Sequence, residues 1–314
     1  MKRIGGRERI PSEDEILQDQ ITYEEKITYG YDQINQPFFI WKERFSHPRN
    51  MITNHHHDAF EIYYLLEGER FYFIKDRTYH VQKGDLILIG VNELHKTMDA
   101  PTPQHERVLL NFKKEFLPAG PEEQASSSLL KCFQQTANLL RLNLGEQTLL
   151  QSLLLKMVAE NQRPKPDSAF YTKLLLAELL VLINRISEQK PAGGFEFLNT
   201  IHKKISEIVT FINHNYPQDL TLDALSERFF ISKYYLSRTF KEVTGFSLIE
   251  YLNSVRIREA QSLLKNSTLN VTLIAEKVGF ESITHFGRVF KAITGLSPLK
   301  YRKETAKEAD RPGR

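Results

Sequence analysis

A stretch of the chain occurs twice: SKYYLSRTFKEVTGFSLIEY at 232–251 returns fifty positions later as SITHFGRVFKAITGLSPLKY at 282–301. The copies match Ser232 with Ser282, Arg238 with Arg288, Phe240 with Phe290, Lys241 with Lys291, Gly245 with Gly295 and Tyr251 with Tyr301. Self-similarity at a fixed period means one supersecondary unit built more than once. A short helix-like segment precedes each copy, LDALSERF or VTLIAEKV, followed by a tight turn, FIS or GFES, with one extra residue in the second copy. Two helices across a brief connection is the helix-turn-helix layout.

Ser232 and Ser282 stand where a side-chain oxygen caps the second helix of each unit, and Gly245 and Gly295 follow its end, where a left-handed residue is needed. In the first copy Leu236, Phe240 and Val243 share one face and must pack inward, while Tyr234, Ser237, Arg238 and Lys241 share another. Such a wet, basic face is either simply solvated or free to enter a major groove. There an arginine bridges the two acceptors of guanine, and a lysine pairs with phosphate. The second copy presents Thr284, Gly287, Arg288 and Lys291 beside Ile283 and His285, a poorer set of hydrogen-bonding groups. The duplication favours the groove, because residues 247–266 read as one helix joining the copies. Its length, roughly 30 Å, nearly equals the ~34 Å between successive major-groove faces on one side of B-DNA. Charge agrees: from residue 200 onward 18 Lys and Arg face 12 Asp and Glu, a balance of +6 in a chain of net +3, leaving −3 for the rest. The repeat and its linking helix need no residue from elsewhere for their core.

From about Ile205 to Tyr301, including Arg256, Ala260, the VGF at 278–280, FGRVFK at 286–291 and GLSPLKYR at 295–302, the chain resembles the DNA-binding domain of AraC/XylS-type transcription regulators. The resemblance implies seven helices, recognition helices in adjacent major grooves, and regulation, usually activation, through RNA polymerase. By motif position Tyr234, Ser237 and Arg238 look like the first base-reading set and Thr284, His285 and Arg288 the second. Ser232, Lys233, Lys241, Ser282 and Lys291 complete the DNA-binding residues. Gly287 departs from the pattern, standing where many relatives carry a polar side chain.

Ahead of the repeat, residues 38–112 alternate in short apolar and polar runs, FEIYYLL, RFYFIK and DLILIG, with turn signals at Glu67-Gly68, Lys75-Asp76 and Lys83-Gly84. Short strands at that spacing predict an antiparallel sandwich or barrel. Three helices are predicted next, from LLKCFQQTANLLRL, TLLQSLLLKMVAE and FYTKLLLAELLVLINRI. Leu149, Leu150, Leu153, Leu154 and Met157 recur at helical intervals, either packing within the domain or forming the seam of a homodimer. Pro and Gly concentrate in EQKPAGGFEF, which reads as a linker.

HHHDAFEIYYLLEG places His55, His57, Glu61 and Gly68 in the order H-x-H-x3-E-x6-G, and GDLILIGVNELH ends at His95. These segments resemble the two cupin motifs, with Gly90 where proline is usual and Asn92 where glycine is usual. In metal-binding cupins the positions matching His55, His57, Glu61 and His95 converge on one ion, and imidazoles with a carboxylate suit a divalent transition metal. Sensory barrels of AraC-type regulators commonly keep the pattern without metal. The same four residues then hold one another and line an effector pocket. No cofactor is expected, with a divalent transition metal as the alternative.

The fold class implied is α+β and multidomain: a cupin-like antiparallel β-barrel followed by helices, then an all-α double helix-turn-helix domain. The expected divisions are a polar lead at 1–20, the effector-sensing barrel at 21–125, a helical dimerisation segment at 126–189, a linker at 190–199, the double helix-turn-helix domain at 200–304 and a tail at 305–314. One cysteine, Cys132, excludes an intrachain disulfide, and the N-terminus has no apolar core of signal-peptide length. LLLAELLVLI at 174–183 falls well short of the ~20 residues that span a bilayer. The expectation is a cytoplasmic, dimeric, non-enzymatic regulator that binds double-stranded DNA and a small polar effector. Aromatics interleaved with polar residues, Phe60, Tyr63, Tyr72 and Tyr79, make a sugar a candidate. The competing function is a metal-dependent cupin enzyme that carries a DNA-binding domain.

Overall fold

The alternation over 38–112 forms seven strands in a computed structural model, which describes residues 36–48, 57–117, 127–135, 137–190 and 199–309. They are β1 (Phe38–Phe45), β2 (Phe60–Glu67), β3 (Glu69–Ile74), β4 (Arg77–Gln82), β5 (Leu86–Ile89), β6 (His95–Asp99) and β7 (His105–Phe112). With β8 (Leu139–Leu140) they make two antiparallel sheets, ordered β1-β7-β2-β5-β8 and β4-β3-β6. The predicted turns fall at Gly68, Lys75 and Gly84, all with positive φ. At Gly68 both φ (85°) and space demand glycine, since a Cβ would lie 2.3 Å from the Gln104 carbonyl oxygen.

Strand parity sorts the side chains. Tyr63, Leu65, Tyr72, Ile74, Tyr79, Val81, Ile87 and Ile89 meet between the sheets. Ile62, Tyr64, Leu86, Leu88, Val108, Leu110 and Phe112 point outward onto helices α1 (Leu144–Gln162) and α2 (Ser168–Gln189). Phe60 belongs to this outer face, with its ring 5.4 Å from Phe112 and 4.7 Å from Phe133, so of the four aromatics it does not line the interior.

Two expectations are corrected here, and one open alternative is decided. LLKCFQQTANLLRL is no long helix: it holds a short 3-10 turn at Lys131–Gln134 and then β8. Asn138 competes successfully for the backbone, its Nδ2 donating to the Leu88 oxygen at 2.7 Å and its carbonyl accepting from the Leu88 N–H at 2.8 Å, which sets β8 beside β5. The barrel therefore draws a strand from the segment assigned to helices. Leu150, Leu153, Leu154 and Met157 are buried against the sheet and α2, so their spacing reflects packing inside the domain, and only Leu149 is exposed. The tail also begins later than expected, because residues 305–309 continue the last helix. The polar lead, residues 21–35 of the barrel segment, His55 and most of the linker lie outside the described residues.

The C-terminal region contains seven helices among the described residues: α3 (Thr200–Asn215), α4 (Leu222–Arg228), α5 (Lys233–Thr244), α6 (Leu248–Asn266), α7 (Val271–Lys277), α8 (Ile283–Thr294) and α9 (Pro298–Ala309). Two separate cores form. Ile208, Val209, Leu236, Phe240, Phe246, Tyr251 and Val255 build the first, and Ile257, Ala260, Leu264, Ile274, Phe286 and Phe290 the second. The α6 helix thus roots one end in each unit. The first core also takes in Phe73 and Leu94 from the barrel, contrary to the expectation that it needed no residue from elsewhere. Phe73 meets the Phe246 and Tyr251 rings edge-on at 5.9 and 6.0 Å. Backbone oxygens of Val243 and Lys75 accept hydrogen bonds across the same seam, from Thr78 Oγ1 at 2.7 Å and Tyr251 Oη at 3.1 Å.

Candidate DNA-binding and effector sites

The second helix of each repeat unit is bounded as its residues require. Ser232 Oγ accepts from the Tyr235 N–H and Ser282 Oγ from the His285 N–H, each at 3.3 Å. Gly245 (φ 77°) and Gly295 (φ 74°) end α5 and α8 in the left-handed conformation, donating to the Lys241 and Lys291 oxygens. Leu236, Phe240 and Val243 are buried, whereas Ser232, Lys233, Tyr234, Ser237, Arg238 and Lys241 are exposed. In α8 the exposed set is Ser282, Ile283, Thr284, His285, Arg288 and Lys291. Two of these cations are tethered: Lys233 to Asp223, and Arg238 to Glu242, Nε to Oε1 at 2.8 Å. His285 leans edge-on against Phe280 at 5.5 Å. A Cβ at Gly287 would meet nothing within 4 Å, so the missing side chain leaves open surface.

Inside the barrel the structure brings His57, Glu61 and His95 together, with one donor atom from each lying within 4.8 Å of the others, and all three are buried. The second motif supplies His95 through a turn at Asn92, which takes φ 59° and so does the work of the glycine usual there. His57 Nδ1 lies 2.9 Å from the Ala59 oxygen and His95 Nδ1 lies 2.7 Å from the Glu93 oxygen. A carbonyl only accepts, so each Nδ1 carries a proton and each Nε2 is aimed at Glu61. His57 Nε2 is 3.1 Å and His95 Nε2 3.8 Å from the same Oε2, while Tyr72 donates to Oε1 at 2.7 Å.

Burial pushes the Glu61 carboxyl up. The neighbouring His95, the His57 hydrogen bond and charge, and the Tyr72 hydroxyl outweigh it, holding Glu61 ionised below the usual carboxylate range. Burial also holds His95 below the usual imidazole range, against the pull of Glu61. A nitrogen lone pair facing a carboxylate at 3.1 Å requires a positive charge between them. A proton shared between the two atoms meets that need, and so does a metal ion. Two imidazole nitrogens and one carboxylate oxygen are a fitting donor set for a divalent transition metal, with His57, Glu61 and His95 as its ligands.

Sequence reasoning missed the rest of the barrel's polar interior. On β7, His105, Arg107 and Asn111 alternate on the face that Glu61 and Tyr63 share on β2. Arg107 Nη2 donates to Glu43 at 3.0 Å, and Arg70 on β3 pairs with Asp99. The period-two spacing of HERVLLNF was the available signal. Cys132 is buried, and burial pushes its thiol up to about 12, so it stays protonated.

Two capped, basic helices presented on one α-helical domain, behind a barrel with an enclosed polar cluster, define a DNA-binding regulator that carries its own ligand-binding domain. Two family models match the chain: an AraC-like ligand binding domain over residues 43–158 and a helix-turn-helix domain over residues 225–304. The chain belongs to the AraC-type family of transcription regulators. The HTH-type transcriptional activator RhaR of Escherichia coli (strain K12) is 25% identical over 263 residues, covering 82% of this chain and 89% of RhaR. The uncharacterized HTH-type transcriptional regulator YfiF of Bacillus subtilis (strain 168) is 28% identical over 306 residues, covering 90% of each. The solved structure of ToxT from Vibrio cholerae O395 aligns over 85% of this chain and 97% of its own at 15% identity, with a TM-score of 0.35. Among the described residues no helix is long and apolar enough to cross a membrane.

Proposed function

We propose that the chain is a cytoplasmic, dimeric transcription activator that reads DNA through α5 and α8 and responds to a small polar effector bound between the sheets. The observation that carries this reading is the alternation on β3 and β6. Tyr72 and His95 face the Glu61 cluster, while the adjacent Phe73 and Lys96 face the first helix-turn-helix unit. One residue of strand separates effector site from DNA-binding domain. An occupant that moves His95 or Tyr72 moves Lys96 or Phe73 with it. RhaR is itself an activator, which supports the direction of control, and RNA polymerase is the partner that activation requires. The homodimer rests on α2, where Phe170 and Leu174 are exposed in one apolar stripe with the part-covered Val181.

The cluster is read as metal-free, with His57 closing on Glu61. A resident divalent metal is the second reading, favoured by the convergence of His57, Glu61 and His95, and a cupin enzyme would need it. The test is binding of the full chain to its own promoter region over a salt series, with elemental analysis of the same preparation. Specific binding should weaken steeply with salt as Lys and Arg contacts release counterions. Salt-insensitive or absent binding would sink the regulator reading, and stoichiometric metal would replace the metal-free cluster.

A further inference from the structure

The interior of the barrel contains more polar chemistry than the Glu61 cluster consumes. Asn111 is only 2% exposed, yet neither its Nδ2 nor its Oδ1 has a hydrogen-bond partner among the described residues. Tyr63 is wholly buried, and neither its hydroxyl nor the Arg107 Nε–H has a partner among the described residues. The three are not scattered. Asn111 pairs across the ladder with Glu61, Tyr63 is two residues further along the same face of β2, and the Arg107 guanidinium lies 5.7 Å from the Tyr63 ring centroid. The Tyr63 ring in turn stands edge-on to Tyr72 at 5.2 Å, and Tyr72 donates to Glu61. Buried polar groups without partners are rare in folded proteins because each forfeits its hydration, so a group of them on one interior face points to something that completes them.

Their chemistry limits the occupant. An amide offers donors and an acceptor, a phenol offers one of each, and the guanidinium Nε–H is a donor. The two interior arginines already have their counter-charges, Arg70 in Asp99 and Arg107 in Glu43, which leaves no interior cation among the described residues free to receive an anion. A ligand carrying carboxylate or phosphate would bring an uncompensated charge into this interior. Hydroxyl groups, each both donor and acceptor, match what is left over, and the Tyr63 and Tyr72 rings supply apolar walls for C–H faces. Resting on the reading of the barrel as the effector domain, we propose that Tyr63, Asn111 and Arg107 Nε form a hydroxyl-reading subsite beside the Glu61 cluster. Its ligand is a neutral polyhydroxylated molecule, an aldose, alditol or cyclitol, rather than a sugar acid or sugar phosphate.

The test uses the full chain, the variants Asn111→Leu and Tyr63→Phe, and thermal shift against neutral aldoses, alditols and cyclitols beside the matching uronic acids and sugar phosphates. Without ligand, Asn111→Leu should melt no lower than wild type, because the amide it removes satisfies nothing. A clearly lower melting temperature would mean that the amide is structural and would overturn the subsite. With ligand, at least one neutral compound should raise the wild-type melting temperature, and both variants should weaken that binding by about tenfold or more. Stabilisation by acids or phosphates alone, or by nothing in the panel, overturns the ligand class. A neutral compound whose effect both variants leave intact overturns the subsite; if Tyr72→Phe then abolishes the effect, the barrel reading survives, and if it does not, that reading falls too.

Discussion

The Lys96 ammonium crosses the seam between barrel and first helix-turn-helix unit to donate to the Gly245 carbonyl oxygen, 2.6 Å away, with its charge 4.8 Å from the centre of the Phe246 ring. Gly245 is the left-handed residue that ends α5, and a Cβ there would come within 2.9 Å of the Lys96 stem. The barrel therefore grips the end of a recognition helix while leaving its Tyr234, Ser237, Arg238 and Lys241 face exposed.

That grip should be measurable as cooperativity. A hydrogen bond from a charged donor contributes about 1.5–3 kcal/mol, and the Thr78 bond to Val243 about 1 kcal/mol. In scanning calorimetry the Lys96→Met, Thr78→Val double variant should unfold in two resolved transitions where wild type couples barrel and first unit in one. Unchanged coupling in the double variant would assign the seam no role.

Arg238→Ala should flatten base preference across an operator library, with a loss of roughly tenfold or more on the preferred sequence, whereas Lys241→Ala should weaken all sequences alike. Arg288→Ala should cost less specificity than Arg238→Ala, given the bare surface at Gly287. Equal losses from the two arginines would reverse the ranking of the helices.

Gly287 sits inside α8 with open space around it. Replacing it with alanine should stabilise the second unit by about 0.5–1 kcal/mol, from reduced backbone entropy in the unfolded chain and better helix propensity. Urea denaturation checks this, and a destabilised variant would contradict the free surface described.

Burial pushes the His105 imidazole down from 6.5 to about 4, opposed by its bond to the Pro103 oxygen and by Asp99, and aided by Arg70 and Arg107. Between those values the unfolded chain binds the extra proton and the folded chain does not. Stability should thus fall as pH drops from about 6.5 to about 4, by at most about 3 kcal/mol from this residue, with no contribution above pH 7. His105→Gln should flatten that part of the wild-type curve. Identical slopes for the two proteins would place the acid sensitivity elsewhere.

Charge on the α2 stripe should separate the dimer. Phe170→Glu with Leu174→Glu should sediment as a monomer at micromolar concentration where wild type sediments as a dimer. A monomeric wild type would remove the dimer from the proposed function.

The C-terminal units were legible because every signal there is local: the caps Ser232 and Ser282, the stop glycines and the buried Leu236 and Phe240 all act within a few residues. The pair His57 and Glu61 was legible for the same reason, and His95 by its motif. Asn138 was not, since its hold on Leu88 joins residues fifty apart and overrides an apolar spacing that reads as helix. The seam was invisible for a related reason. Phe73 and Lys96 look like the outward residues of any half-exposed strand until the surface that covers them is known.

The α6 helix has a consequence for how such a regulator can change. Leu248 and Leu252 fix one end in the first core, and Ile257, Ala260 and Leu264 fix the other in the second. Inserting a single residue between them would swing the second unit by about 100° and advance it by about 1.5 Å, turning its exposed face away from the groove. On the proposed reading, the letters of the operator can drift one at a time with substitutions at Tyr234 or Arg288. The gap between its halves cannot drift, because it is cast from the length of a helix that two hydrophobic cores hold at a fixed number of turns.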